Sequence, residues 1–299
     1  MRGLDANFLE ALQHGLLRPL LDRVHLDRTL CLALRNDYLN VYYRGGNLLR
    51  LARRGDAYAA TFDVKYARGA PLEVPDSGVR EPEHVSAWLD AVPRLKLAMD
   101  LYLGHHPKDE REIQQVIARD NNIGRVGRAT DYYVCDIEYA SRHGRFDLVG
   151  VHWPSTGADR KRTRGRRLVV GEVKQGDSAL SGKAGLHAHL RDVDAFLSDP
   201  TRLAGLKDEM VVVFNQKRAL ELINCGRDID SFSDEVPLFL VILVNHDPQS
   251  TILRAELATL PSPEHCEIRV VTSSLMGYGI FDPGVLTVDE VLARPDTSL

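Results

Sequence analysis

The chain has 299 residues, 44% hydrophobic and 27% charged, which is typical of a folded globular protein with one large or two modest domains. Its net charge of −4 argues against a protein that binds polyanions with its whole surface. No stretch approaches the roughly 18 uncharged apolar residues of a membrane span, and the four cysteines show no CxxC pair. These features predict a cytoplasmic, reducing setting and no membrane insertion.

Residues 1–95 are predicted to form an N-terminal region of one amphipathic helix followed by an antiparallel β-meander. The helix is indicated by an apolar spacing of three to four residues, at Phe8, Leu9, Leu12, Leu16 and Leu20. The strands are indicated by short apolar runs between turn residues, over 30–34, 38–43, 48–52 and 57–64. Residues 70–83, rich in proline and charge, predict a linker or long loop. We expect this region to provide specificity, a homo-oligomer contact or a protein partner's docking site.

Residues 96–299 have a different pattern of predicted secondary structure, in which single strands alternate with helices. Helices are expected over 84–103, after Asp109 and after Gly185, with a capping box at Thr287 and Glu290 for a last short helix. Strands are expected over 132–139, 145–152, 168–174, 210–214 and 238–244, the last two as continuous apolar runs buried on both faces. The pattern predicts an α/β (α+β) domain with a mixed central sheet flanked by helices.

Three charged residues interrupt two of these apolar strands. Asp147 lies inside RFDLVGV, where an unpartnered carboxylate would be costly. In LVVGEVKQG, Glu172 and Lys174 are two residues apart, so a strand places both on one face and Val173 on the other. Carboxylates on a rigid frame are the ligands that Mg²⁺ prefers, and metal-assisted phosphodiester hydrolysis needs such ligands.

An acid near the end of one strand, a basic hairpin and a Glu-x-Lys on the next strand together resemble the PD-(D/E)XK, restriction-endonuclease-like nuclease superfamily. The resemblance covers roughly residues 107–215, with Phe146 where the family name has proline. It implies that Asp147 and Glu172 hold Mg²⁺ or Mn²⁺. It implies that Lys174 orients or activates the attacking water and stabilises developing charge.

The same resemblance suggests further site residues. Many members add an acid from the preceding helix, which matches Glu112 as a third metal ligand, with Glu110 a competing choice. Gln175 matches a glutamine beyond the lysine that contacts a water or a phosphate. Asp136 and Glu138 share a strand face and are either a second acidic pair near the site or the solvated face of an edge strand.

A basic segment, DRKRTRGRR, falls between the two strands that carry Asp147 and Glu172. At a hairpin tip its side chains could grip phosphates, or it could be a solvated tip. The candidate nucleic-acid contacts are Arg160, Lys161, Arg162, Arg164, Arg166 and Arg167.

Other chemistries fit the sequence less well. A Glu-x-Lys pair alone is also typical of a solvated sheet edge. The segment from Gly176 to Gly182 is one residue too long for a phosphate-binding loop of the GxxxxGK[ST] type. His187 and His189 form an HxH pair, but on a helix their side chains point apart, which favours packing or backbone contacts.

The sequence therefore predicts a metal-dependent endonuclease or phosphodiesterase acting on DNA. Roles in restriction, phage defence or DNA repair would fit such a family. The alternative is a catalytically inactive nuclease-like module that binds nucleic acid or a protein partner.

Overall fold

The computed structural model describes residues 2–67, 72–123, 130–244, 246, 250–273 and 285–293. The protein has a mixed α+β architecture and divides into two compact units. The first unit comprises Met1–Gln115 and Val212–Ile223, so it extends beyond residue 95 and includes a later segment. The second comprises Val116–Val211 and Asn224–Leu299. No helix in the described ranges has the length and apolar character needed to cross a membrane.

The first unit is built on an antiparallel sheet of order β1-β2-β3-β4-β5, which confirms the predicted meander. Its elements are α1 (Ala6–Gln13), α2 (Arg18–Leu26), β1 (Leu30–Leu34), β2 (Tyr38–Tyr43), β3 (Gly46–Arg54), β4 (Ala57–Thr61), β5 (Gly78–Val79) and α3 (Pro82–His105). Helix α4 (Asp109–Asn122) begins in this unit. In the segment predicted as a linker or long loop, residues 72–77 form no helix or strand, and β5 then joins the sheet by pairing Val79 with Tyr58. Residues 70 and 71 lie outside the described residues.

The single N-terminal helix predicted from leucine spacing is in fact two. Helix α1 ends where the His14 and Gly15 amides both reach the Glu10 carbonyl. Helix α2 then begins with Pro19 in its first turn, where the missing amide costs no hydrogen bond. The leucine period survives this break because both helices bury their apolar face in one core, which includes Phe8 and Leu20.

The second unit contains a mixed sheet of order β10-β9-β8-β7-β6, as predicted. Strands β6, β7 and β8 are antiparallel, while β9 runs parallel to both β8 and β10. The strands are β6 (Tyr132–Ala140), β7 (Arg145–His152), β8 (Arg167–Gln175), β9 (Leu238–Val244) and β10 (Glu267–Ser273). The helices are α5 (Leu186–Leu197), α6 (Pro200–Ala219), which continues into residues of the first unit, α7 (Thr251–Ala258) and α8 (Val288–Ala293).

The apolar run at 210–214 was predicted to be a strand, and this was wrong. It lies inside α6, which Asp199 caps by accepting hydrogen bonds from the Thr201 and Arg202 amides. The buried positions of α6 follow the helical period beyond the run, at Leu206, Met210, Val213, Phe214 and Lys217. By contrast, 238–244 is β9, and every residue of that strand is buried, as expected.

Gly150 marks a close approach of β6 and β7. A Cβ atom there would overlap the Tyr133 carbonyl oxygen, beside an irregularity in the β6 register. We expect Gly150→Ala to lower the free energy of unfolding by about 1–3 kcal/mol, because the strands would have to separate. Urea denaturation measures this, with Gly157→Ala as the control, since a Cβ there meets nothing within 4 Å. Equal stability of the two variants would contradict this packing.

Candidate active site

The sheet register places Asp147 next to the end of β8. The pairing of β7 with β8 ends at Leu148 and Gly171, so Asp147 lies across from Glu172 on the same sheet face. Beyond Leu148 and Gly171 the two backbones no longer pair, and the Asp147 side chain bonds to β8 instead. Its Oδ2 accepts a hydrogen bond of 2.8 Å from the Val173 amide. The Asp147 carboxylate is therefore fixed to the neighbouring strand.

Glu172 and Lys174 share one strand face, as their spacing predicted, and there they form a buried ion pair. Lys174 Nζ lies 2.7 Å from Glu172 Oε1, and both side chains are only 5% exposed. Val173, between them, is fully buried on the opposite face. A solvated sheet edge, the competing interpretation of Glu-x-Lys, is therefore wrong for this strand. Because desolvation of two charges is expensive, such a pair is weak support for stability and suits a functional role better.

His189 also belongs to this cluster, although its HxH pattern predicted only packing or backbone contacts. It lies in the first turns of α5, directly after the β8–α5 connection, and its Nε2 is 3.2 Å from Glu172 Oε1. His187 points elsewhere, toward Thr259 at 3.2 Å and Glu256 at 3.6 Å, so the two histidines do diverge as expected. The contact between His189 and Glu172 could have been inferred from chain order. A helix that follows β8 can place its first turn near the end of that strand.

The pKa of His189 is lowered from its usual 6.5. Burial is the largest cause, and the positive charge of Lys174 acts in the same direction. Asp147, Asp192 and a hydrogen bond with the Ala184 backbone oppose the shift without reversing it. Two of the charged residues of the site, Lys174 and Asp147, therefore act on the pKa of this ring.

A second polar cluster anchors the end of β8 just past Lys174. The His246 ring lies 3.1 Å from the Lys174 carbonyl oxygen through Nε2 and 2.9 Å from Asp177 through Nδ1. Asp177 also accepts a hydrogen bond from the Ser250 hydroxyl, and Ser250 caps α7 through the Leu253 amide. The backbone that carries Lys174 is thus tied to β9 and α7.

Asp177 should make the stability of the second unit depend on pH. The Ser250 hydroxyl, and then His246, lower its pKa below 3.8. Ionised Asp177 therefore stabilises the fold above about pH 3.8, and this contribution is lost as pH falls through the folded-state pKa. In urea unfolding from about pH 6 to about pH 3, the stability advantage over Asp177→Asn should shrink only at the acidic end. A difference independent of pH would contradict this.

The other predicted site residues lie in varied surroundings. Glu112 belongs to the first unit, where its Oε1 is 3.5 Å from Arg44 Nε, and its metal role stays a prediction. Gln175 is half-buried at the end of β8, and its contact with a water or a phosphate also stays a prediction. Asp136 is fully buried on β6, so the solvated-face interpretation is wrong for it. Glu138 is half-buried with a φ of 49°.

The basic segment connects β7 to β8, as predicted, but part of it is engaged in the fold. Arg160 donates to the Thr130 carbonyl and lies over the Tyr133 and Trp153 rings, 4.8 and 5.5 Å from their centroids. Arg166 is buried, donates to the Arg164 carbonyl at 3.1 Å and lies 5.5 Å from the centroid of the same Trp153 ring, and burial lowers its pKa. These contacts fix the base of the connection.

The remaining cations of the segment differ in exposure. Arg167 donates to the Val236 carbonyl at 2.7 Å and pairs with Glu267. Arg164 is highly exposed and pairs with Asp230 at 3.3 Å. Lys161 and Arg162 are exposed. Fewer of these cations are therefore available to contact a phosphate than the six that the sequence predicted.

The chain gave no significant match in comparisons with protein-family models, curated proteins and solved structures. Among the described residues, no three His, Cys, Asp or Glu side chains are gathered as a ready-made metal site. The two carboxylates of Asp147 and Glu172 still suit Mg²⁺, which commonly binds through one or two carboxylates and takes its other ligands from water and phosphate. The donor chemistry therefore fits such an ion.

Proposed function

We propose that the protein is a metal-dependent nuclease that hydrolyses phosphodiester bonds of DNA, with a restriction-endonuclease-like second unit. The observation that carries the proposal is the placement of Asp147, Glu172 and Lys174 on one face where β7 and β8 part. The mixed sheet, with β9 parallel to β8, agrees with the architecture that the resemblance implies.

Each residue has a distinct role in this proposal. Asp147 and Glu172 would hold Mg²⁺ or Mn²⁺, which when bound polarises a phosphoryl oxygen and lowers the pKa of a bound water. Lys174, held between the site and the backbone anchor at His246, orients the attacking water and neutralises charge that develops on the phosphate. The exposed cations Lys161, Arg162 and Arg164 contact the DNA backbone.

The test is a cleavage assay on supercoiled plasmid, linear duplex, single-stranded DNA and RNA, with Mg²⁺, Mn²⁺ or EDTA. We expect cleavage of DNA with metal and none in EDTA. Cleavage that persists in EDTA, or that is unchanged in Glu172→Gln, would overturn the mechanism.

A second candidate is a nuclease-like module that binds without cleaving. The observation that favours it is the ion pair, in which Lys174 neutralises Glu172 at a distance of 2.7 Å. Retention of all three charged residues favours the enzyme. Tight DNA binding with no cleavage in either Mg²⁺ or Mn²⁺ would favour the module.

A further inference from the structure

His189 contacts the proposed metal site from a different structural element than the other residues. Its Nε2 lies 3.2 Å from Glu172 Oε1, the same oxygen that Lys174 Nζ contacts at 2.7 Å. The strand supplies one of these nitrogens and helix α5 the other. Two contacts from independent elements on one carboxylate oxygen restrict the rotation of that carboxylate.

The His189 ring is more exposed than the carboxylate it contacts. Its side chain is 28% exposed, whereas that of Glu172 is 5% exposed. The ring therefore reaches solvent while it contacts the buried carboxylate. Asp147 is held in a comparable way, since its Oδ2 accepts the Val173 amide. Each carboxylate thus has one oxygen fixed by a protein donor.

We propose that His189 is a positioning residue of the active site, which donates a hydrogen bond from Nε2 to Glu172 and orients that carboxylate for the metal ion. The proposal rests on the proposed function, because it assigns Glu172 a metal to hold. Loss of such an outer hydrogen bond typically weakens metal affinity about 10- to 100-fold.

Calorimetric titration with Mn²⁺ tests this independently of cleavage. We expect His189→Ala to raise the Mn²⁺ dissociation constant about 10-fold or more. His189→Gln should recover most of the affinity, because the glutamine amide can place a donor near the position of Nε2. The matched control is His187→Ala, in the same helical turn but directed at Thr259, which should bind Mn²⁺ like the unmodified protein.

The outcomes separate the two claims. Wild-type affinity in His189→Ala, or a failure of glutamine to rescue in a folded variant, would overturn the positioning role while leaving the nuclease proposal standing. Failure of the unmodified protein to bind Mn²⁺ would instead overturn the nuclease proposal. Circular dichroism of each variant confirms that it is folded, so a loss of affinity reports on the site.

Discussion

Lys174→Met should lower the rate of DNA cleavage by about 10²–10³-fold under single-turnover conditions with Mg²⁺. The reason is that Lys174 supplies the positive charge nearest Glu172, in a setting only 5% exposed, where a charge acts strongly on a developing phosphate charge. Methionine keeps most of the side-chain volume and removes the charge. An unchanged rate would exclude Lys174 from the chemistry.

The same substitution should also destabilise the protein when no metal is present. It leaves Glu172 buried without its cation, and breaking one side of a buried pair costs about 3–5 kcal/mol. We expect Mg²⁺ to restore part of that loss, since an ion can neutralise the carboxylate. The double variant Glu172→Gln, Lys174→Met should be more stable in EDTA than Lys174→Met alone, because neither charge is left buried. The opposite order in urea unfolding would contradict this account of the pair.

Asp147→Asn should reduce cleavage by about 10²-fold or more while leaving the fold nearly intact. The asparagine carbonyl can still accept the Val173 amide, so the link between β7 and β8 is kept. What is lost is the negative charge that binds the ion, which contributes several kcal/mol of transition-state stabilisation. We therefore expect the cleavage rate of Asp147→Asn to fall while its thermal unfolding temperature stays close to that of the unmodified protein.

Asp147→Ala serves as the comparison for that variant. It removes the acceptor as well as the charge, leaving the Val173 amide unsatisfied at a cost of about 1–3 kcal/mol. We expect both variants to lose cleavage and only the alanine variant to lose stability. If asparagine retained cleavage, Asp147 would not be a metal ligand.

The local arrangement of the site could be predicted from the sequence, because the direction of a side chain in a strand depends only on its spacing from neighbouring residues. The period of two placed Glu172 and Lys174 on one face and Val173 on the other, as observed. The apolar flanks of Asp147 required a partner for its carboxylate, and the Val173 amide is one. Both inferences depend only on neighbouring residues and on the cost of burial.

Features that depend on distant parts of the chain could not be predicted. His189 contacts Glu172 only because α5 starts close to the end of β8, and no spacing rule gives that angle. The run at 210–214 became helical because its surroundings bury it along a helical period. Likewise, Arg160 contacts the Thr130 carbonyl and the Tyr133 ring, and Arg167 contacts the Val236 carbonyl, all of which lie far from the segment in sequence.

The most direct test is a crystal structure of the protein soaked with Mn²⁺, read from anomalous density. We predict a peak within about 2.0–2.4 Å of one oxygen each from Asp147 and Glu172, absent from crystals of Asp147→Asn. A crystal that binds Mn²⁺ elsewhere, with the Glu172–Lys174 pair closed as it stands here, would contradict a metal-dependent nuclease at this site.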